Sequence, residues 1–478
     1  ALLSDFSPYL VDFGKKQAQV DADEDVMARG VVVPGALDAF AVAPPSVAPP
    51  TIVSFDPEIL VMSSIRKPKR VRLYGDDAVR RSFLVKGGED LRMDERVSGL
   101  FALMNAVFAR DSRCGADVRV RNYHVTPMAP DVGLIEWVED TRTIKEAMSA
   151  QVGARARDGK PPFALRTDIR DDVRDGKKLP TLDHLHACQL YKQLVEKFGL
   201  DNSAYRHMFE ACAKDPDKHL HNVKLDFDQA RDAVPWDLLH SVIVSLTPSP
   251  EAFLSLRSTF ATSLATFNVC GWVLGIGDRH IENALLSHRD GRLVPIDFGH
   301  AFGSATQFLA VPELSPMRLT RQFEGVLRPL GNNALLAPTM VSAMRALHES
   351  RDVLMRALDV FVRDPISDWV SLARRLAGEQ LEATKAAANE ATAAGVLALP
   401  DDTMMQRDHA DGLSAHARAR LKSALLKLDM YSPGHTVKLD LKMSVMAKAS
   451  PLALDGACIV VDRAGGGDGR CASIEEQV

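Results

Sequence analysis

One stretch constrains this chain more than any other. It reads Gly275-Ile276-Gly277-Asp278-Arg279-His280-Ile281-Glu282-Asn283, and the apolar run Leu293-Val294-Pro295-Ile296 then leads into Asp297-Phe298-Gly299. A loop, a short strand and a flexible turn must follow one another here, the loop and the turn bearing oxygen-donor side chains. Either motif alone is an ordinary turn sequence, because Asp before Gly favours turns. In this order and setting the pair is hard to explain as turns. Phosphoryl transfer from ATP needs one carboxylate to orient an acceptor hydroxyl and take its proton. It needs a second carboxylate, with a neutral oxygen donor, to hold Mg²⁺ against the phosphates. Asp278 followed five residues later by Asn283 has the spacing of a kinase catalytic loop, and Asp297 supplies the further metal ligand. The Gly275-x-Gly277 pair is no dinucleotide fingerprint, since no third glycine opens a helix at the required place.

At 478 residues the chain exceeds one core, so two or three units are expected. Charge is close to balanced, with 58 Lys and Arg against 63 Asp and Glu and a formal net charge of −5, which leaves no global field for gripping a polyanion. No run approaches the length of a membrane span, so no membrane partner is expected. The six cysteines are scattered without a C-x-x-C pair, which points away from zinc and towards a reducing compartment. The chain opens on Ala1-Leu2-Leu3 and reads as part of a longer polypeptide.

Along the chain, residues 1–54 read as the end of a preceding helical region and a stiff Pro-rich linker, Pro44-Pro45 to Pro49-Pro50. From Thr51 to Val138 the pattern is strand-like: Ile52–Phe55, Leu60–Met62, Arg70–Tyr74, Ser82–Lys86, Val118–Val120 and Gly133–Val138. One helix interrupts it, with Val97, Leu100, Phe101, Met104, Val107 and Phe108 at three- and four-residue spacing. Helices dominate afterwards, around 183–199, 203–213, 235–245 and 250–270, with a charged insertion at 151–180 and a closing stretch from Pro365 to Arg375. The Ala- and acid-rich stretch 376–411 reads as an exposed helix or a disordered insert. A further helix is expected at 413–428, followed by an irregular tail.

An ATP site also needs a cation and a slot for adenine. Lys86 ends the apolar strand Phe83-Leu84-Val85, with Glu89 or Asp94 as the carboxylate that holds it. It reads equally well as a surface lysine beside a glycine turn. In Gly133-Leu134-Ile135-Glu136-Trp137-Val138, Trp137 against the purine and Val138 bonding the adenine edge would make the connector. Periodicity by itself favours a core position for Trp137.

The order Asp278-Arg279-His280, reversed from ordinary protein kinases, resembles the phosphatidylinositol 3-kinase-related protein kinase family. So do Phe83 through Arg92, Ile296 through Phe308, Val311-Pro312-Glu313-Leu314, Arg318 through Phe323 and Met62 through Arg70. Similarity runs from about residue 51 to 375. The resemblance implies an α+β, two-lobed protein-kinase-like fold of the phosphatidylinositol 3/4-kinase type. Residues 55–138 would form a small β-rich N-lobe and 139–375 a larger, mainly helical C-lobe. The insert 376–411 and a segment 412–478 would follow, the latter ending at the start of a truncated FATC segment, for which Ser473 through Val478 is the opening. It further implies that Lys86 binds ATP phosphates, positioned by Glu89 and Asp94, and that Ser63 lies in the phosphate-facing loop. Trp137 and Val138 would line the adenine pocket. Asp278 would be the base, His280 would lie near the transferred phosphate, and Asn283 and Asp297 would hold Mg²⁺, with Arg279 structural.

The family contains lipid and protein kinases. A loop that reads a phosphorylated lipid head needs Lys or Arg, and His300 through Met317 contains neither. It offers Ala301, Phe302, Phe308, Leu309, Val311 and Pro312, which suits a peptide. The resemblance implies protein substrates with Ser or Thr followed by Gln, a nuclear place and a role in joining broken DNA ends. DNA ends and an end-binding heterodimer would be met only through parts of a longer protein outside these residues. Arg66-Lys67-Pro68-Lys69-Arg70 reads as a strand rim around the nucleotide rather than a nuclear import signal.

Overall fold

The computed structural model describes residues 30–36, 48–62, 66–157, 204–221, 224, 228, 234–309, 311–315, 317–363, 421–465, 467 and 469–478. Among these, one unit takes the residues up to Ala102 together with Asn122–Glu139. A second takes Leu103–Arg121 and the described residues from Asp140 onward.

The first unit is built on an antiparallel sheet. Its strands are β1 (Ile52–Phe55), β2 (Leu60–Val61), β3 (Lys69–Gly75), β4 (Arg80–Gly87), β5 (Val125–Ala129) and β6 (Val132–Glu136). They lie in the order β1-β3-β4-β6-β5, with β2 also on β3. Two-residue alternation sends Phe83 and Val85 of β4 to one face, where they pack with Val71, Leu73 and Val33. Ser82, Leu84 and Lys86 therefore point to the other face. Lys86 pairs with Gly133 of β6. A Cβ at Gly133 would lie 2.7 Å from the Leu91 side chain and 2.9 Å from the Thr126 carbonyl, so only glycine lets the strands close there. After β4, the Asp90 carboxylate accepts from the Arg92 backbone N–H and guanidinium and opens α1 (Arg92–Arg110). Its apolar stripe, Val97, Leu100, Phe101, Met104 and Phe108, is buried as the spacing predicts.

In the second unit β7 (Thr141–Thr143) runs into α2 (Ile144–Arg157) through a capping box. The Thr143 hydroxyl accepts from the Glu146 N–H while the Glu146 carboxylate accepts from the Thr143 N–H. Next come α3 (Ala204–Lys214), α4 (Leu238–Ser245) and α5 (Pro250–Val273). Ser249 caps α5 by accepting from the Ala252 N–H, and Pro250 fits its first position. From Phe260 to Val273, α5 is buried on almost every side, which explains why this stretch carries no charged residue. The strands β8 (Ala284–Ser287) and β9 (Leu293–Pro295) complete a three-stranded sheet in the order β7-β8-β9. Five helices follow, α6 (Ser304–Phe308), α7 (Arg321–Leu327), α8 (Gly331–Leu335), α9 (Ala337–Glu349) and α10 (Arg351–Arg363). Later come α11 (Pro433–Lys442), α12 (Val445–Ala449), α13 (Pro451–Arg463) and α14 (Ile474–Gln477). Phe209 of α3 shares a buried cluster with Val437, Leu441, Met446, Ala453, Ala457 and Val461.

Val118-Arg119-Val120 is not the strand its sequence predicts. The Asn105 side chain takes both backbone groups of Val120, at 2.8 and 2.9 Å, and so replaces a ladder with a side-chain clamp. The next strand starts instead at Val125. β6 ends at Glu136, two residues early, although the Trp137 N–H still donates to the Ser82 carbonyl. The expected helix at 183–199, most of the insertion at 151–180, the stretch Pro365–Arg375 and the stretch 376–411 lie outside the described residues, as do Ala41–Val47 of the linker. Of the expected helix at 413–428, residues 421–428 are described and helical. No described helix is long and apolar enough to cross a membrane.

Candidate active site

The loop after α5 is held by backbone bonds to the segment that follows Asp297. Gly277 N–H donates to the His300 carbonyl, Phe302 N–H to Leu274 and Gly303 N–H to Gly275, each at 2.8 Å. The two glycines of the motif make this approach possible. A Cβ at Gly275 would meet the Gly303 nitrogen at 2.6 Å, and one at Gly277 would meet the Ala305 Cβ at 2.2 Å. Asp278 and Asp297 both take left-handed backbone conformations, φ 58° and 61°. Such conformations cost an L-residue energy, are best tolerated by Asp and Asn, and cluster at functional sites.

Asn283 is buried, and its side-chain N–H donates to the Asp278 carbonyl at 2.9 Å, closing the loop on itself. Arg279 then ties this loop to the end of β9. Its guanidinium donates to the carbonyls of Gly277 and Ile296 at 2.8 Å, and to that of Asp297, with the Asn283 carbonyl at 3.4 Å. One cation thus holds the backbone carbonyls of Gly277, Asn283, Ile296 and Asp297, while the Asn283 amide holds that of Asp278. Asp297 is exposed, and its carboxylate and the Asn283 amide oxygen are the hard donors that Mg²⁺ prefers, so these residues fit that ion. His280 is 45% exposed, with Nε2 3.9 Å from the Asp278 carboxylate and Nδ1 accepting from the Glu282 N–H. Lys145 holds Glu282 at 3.0 Å.

Glu313 is a site residue that the sequence reading missed. Its carboxylate accepts the Asp278 N–H at 2.7 Å, and its backbone carbonyl accepts from the Thr306 hydroxyl at 2.7 Å. Burial pushes its carboxyl above the usual range. The one signal available was that Glu313 is the sole acidic residue between His300 and Met317. The expected apolar surface of this segment is smaller than its sequence suggests. Ala301, Phe302 and Pro312 are buried, Phe308 and Leu309 are half-buried, and Val311 is exposed. Phe302 is drawn inward by its own backbone bond to Leu274.

The chain's last described helices reach the same loop from behind. Lys427 is buried and donates to the carbonyl of Trp272 at the end of α5, and burial lowers its pKa. The buried Asp440 carboxylate accepts from Gln307 of α6 at 3.1 Å. Gln477 of α14 donates to the carbonyls of Lys427 and Tyr431.

In the first unit Lys86 meets Glu89 at 3.0 Å, and Arg66 meets the same carboxylate at 3.1 Å. Asp94 lies buried in the first turn of α1. Trp137 is half-buried rather than core, and the Arg70 guanidinium stacks 4.6 Å over its ring while gripping Glu139. Val138 follows, also half-buried. The basic run is thus spent on Glu89, Glu139 and the strand β3. Ser63 lies outside the described residues.

Residues 81–371, more than half of the chain, match the family described as phosphatidylinositol 3- and 4-kinase. The DNA-dependent protein kinase catalytic subunit of Dictyostelium discoideum is 41% identical over 379 residues, 79% of this chain and 8% of that protein. The Mus musculus protein of the same name is 37% identical over 77% of this chain and 8% of its own length. The serine/threonine-protein kinase TOR of Oryza sativa subsp. japonica is 29% identical over 67% of this chain and 11% of its length. The chain therefore spans about a tenth or less of these relatives. The solved FAT and kinase domain of CtTel1 superposes with a TM-score of 0.54 at 20% identity, covering 86% of this chain and 24% of that one, a likeness of fold. The β-sheet unit, the helical unit and these matches together place the chain in the phosphatidylinositol 3- and 4-kinase family, as a kinase domain homologous to the DNA-dependent protein kinase catalytic subunit and to TOR.

Proposed function

We propose that this kinase domain transfers the γ-phosphate of ATP to serine or threonine followed by glutamine in protein substrates. The same reading assigns it to non-homologous end joining of broken DNA in the nucleus, the setting implied by its likeness to DNA-dependent protein kinases. Contact with DNA ends and with an end-binding heterodimer is assigned to parts of such a protein outside these residues. Residues 55–138 and 139–375 are read as the two kinase lobes, with 376–411 as an insert. Residues 412–478 are read as a C-terminal segment whose end opens an FATC segment.

The reading rests above all on Arg279 holding the backbone carbonyls of Asn283 and Asp297 while the Asn283 side chain holds that of Asp278, with Asp278 and Asp297 in left-handed conformations. In this chemistry Asp278 accepts the hydroxyl proton of the substrate and orients its oxygen for in-line attack. Asn283 and Asp297 would hold Mg²⁺, which when bound would supply neutralising charge to the phosphates. His280, beside Asp278, donates to the transferred phosphate group. Lys86, oriented by Glu89 and Asp94, steadies the α- and β-phosphates, with Ser63 in the adjoining loop. Trp137 and Val138 receive the adenine. The absence of Lys and Arg from His300 to Met317 supports a peptide over an inositol lipid as acceptor.

The test is phosphate transfer from radiolabelled ATP to three acceptors: a Ser-Gln peptide, its Ser-Ala counterpart, and phosphatidylinositol vesicles. Labelling of the Ser-Gln peptide alone is expected, and Asp278→Asn should abolish it while retaining nucleotide binding. Labelling of lipid, or turnover that survives Asp278→Asn, overturns the reading.

A further inference from the structure

The base assigned to Asp278 sits on a backbone that an L-residue adopts at a cost, φ 58°. We propose that Glu313 is a positioning residue which holds that backbone, so that order in the 300–317 segment and the aim of the Asp278 carboxylate are one structural event. This rests on Asp278 being the base.

Four observations converge on Glu313. Its carboxylate takes the Asp278 N–H at 2.7 Å, across 35 residues of sequence. That N–H lies in a left-handed turn and has no place in a helix or strand ladder, so a buried acceptor is what satisfies it. The neighbouring Gly277 leaves room for the carboxylate, since a Cβ there would lie 2.7 Å from Glu313 Oε2. Thr306, in the middle of α6, donates its hydroxyl to the Glu313 carbonyl, which ties the residue to the segment after Asp297. Arg318, half-buried, brings a compensating charge towards Glu313 and reaches the Arg279 carbonyl at 3.5 Å. Asp278, Arg279 and His300 are the other charged or titratable groups facing it. A carboxylate desolvated this far is costly unless its bonds are made. Loosening the 300–317 segment withdraws the acceptor, and the Asp278 turn is then free to relax.

The experiment uses the whole chain with Glu313→Ala and Glu313→Gln. Amide hydrogen exchange of the peptide containing Asp278 should quicken about tenfold or more in Glu313→Ala, and exchange in α5 should stay as in wild type. Turnover on the Ser-Gln peptide should fall about 100-fold, the scale of a small misplacement of a reacting group, with the KM for ATP within twofold. Glu313→Gln, which keeps an acceptor oxygen at the same reach, should recover at least tenfold of that loss. Unchanged exchange at Asp278, or a Glu313→Gln variant no more active than Glu313→Ala, overturns the inference. If Asp278→Asn itself keeps turnover, the base reading fails, and the exchange result still decides whether Glu313 holds the loop.

Discussion

Replacing Arg279 by lysine tests how far the site depends on a planar cation rather than on charge. Three carbonyls, from Gly277, Ile296 and Asp297, lie within bonding reach of the guanidinium, and a fourth, from Asn283, lies at 3.4 Å. An ammonium at the end of a flexible stem serves one of them. Bonds to a charged donor contribute about 1.5–3 kcal/mol each. Arg279 is half-buried, so the lower figure applies. Losing two such bonds costs about 3 kcal/mol in the gathered arrangement, or about 100-fold at about 1.4 kcal/mol per tenfold. Turnover on a Ser-Gln peptide should therefore fall about 100-fold in Arg279→Lys, with ATP affinity changed far less. Steady-state kinetics paired with a nucleotide-binding titration measures both. A kcat within threefold of wild type would refute the claim that this one side chain fixes the loop after α5 to the end of β9.

Other perturbations read other parts of the molecule. Lys86→Met leaves Glu89 with Arg66 and removes the proposed phosphate cation, so the Kd for a fluorescent ATP analogue should rise about tenfold, the scale of one charge-assisted contact; a change under twofold would contradict the assignment. Gly456→Ala drives a Cβ to within 1.8 Å of the Phe209 carbonyl and should loosen α13 from α3, costing about 3 kcal/mol; an unshifted unfolding midpoint would count against it. The Asp237 carboxyl is held below its ordinary 3.8, first by its hydrogen bonds with the Arg155 guanidinium. A depressed carboxyl stabilises above the unfolded value and loses that contribution as pH falls through the folded one. Arg155→Met should thus cost about 1 kcal/mol at neutral pH, and its difference from wild type should shrink as pH falls below 3.8 in denaturant titrations. Cys270 is fully buried and its thiol is pushed far up by burial, so maleimide should label it only after denaturation, whereas the half-buried Cys114 and Cys458 should label before it. Mass spectrometry of the labelled peptides decides the order.

Spacing alone singled out Asp278, Asn283 and Asp297, because the proposed catalytic loop and metal-holding turn would each be encoded within a few consecutive residues. Periodicity likewise located β3, β4 and the buried face of α1, since the core side of a strand or helix repeats every two or about 3.6 residues. It misplaced Val118–Val120 because a distant side chain, Asn105, took the backbone groups a strand would have used. It also overcounted the apolar surface after His300, because Phe302 was drawn inward by bonds to residues of another segment. What the folded chain alone decided is which groups stand behind the motif. The carboxylate for the Asp278 N–H comes from 35 residues away, and the cation on the Trp272 carbonyl from 155 residues away. Neither partner carries a local pattern. A carboxylate or an ammonium acquires its role from the unpaired backbone group and the desolvation it meets, and both exist only once the chain has closed around them.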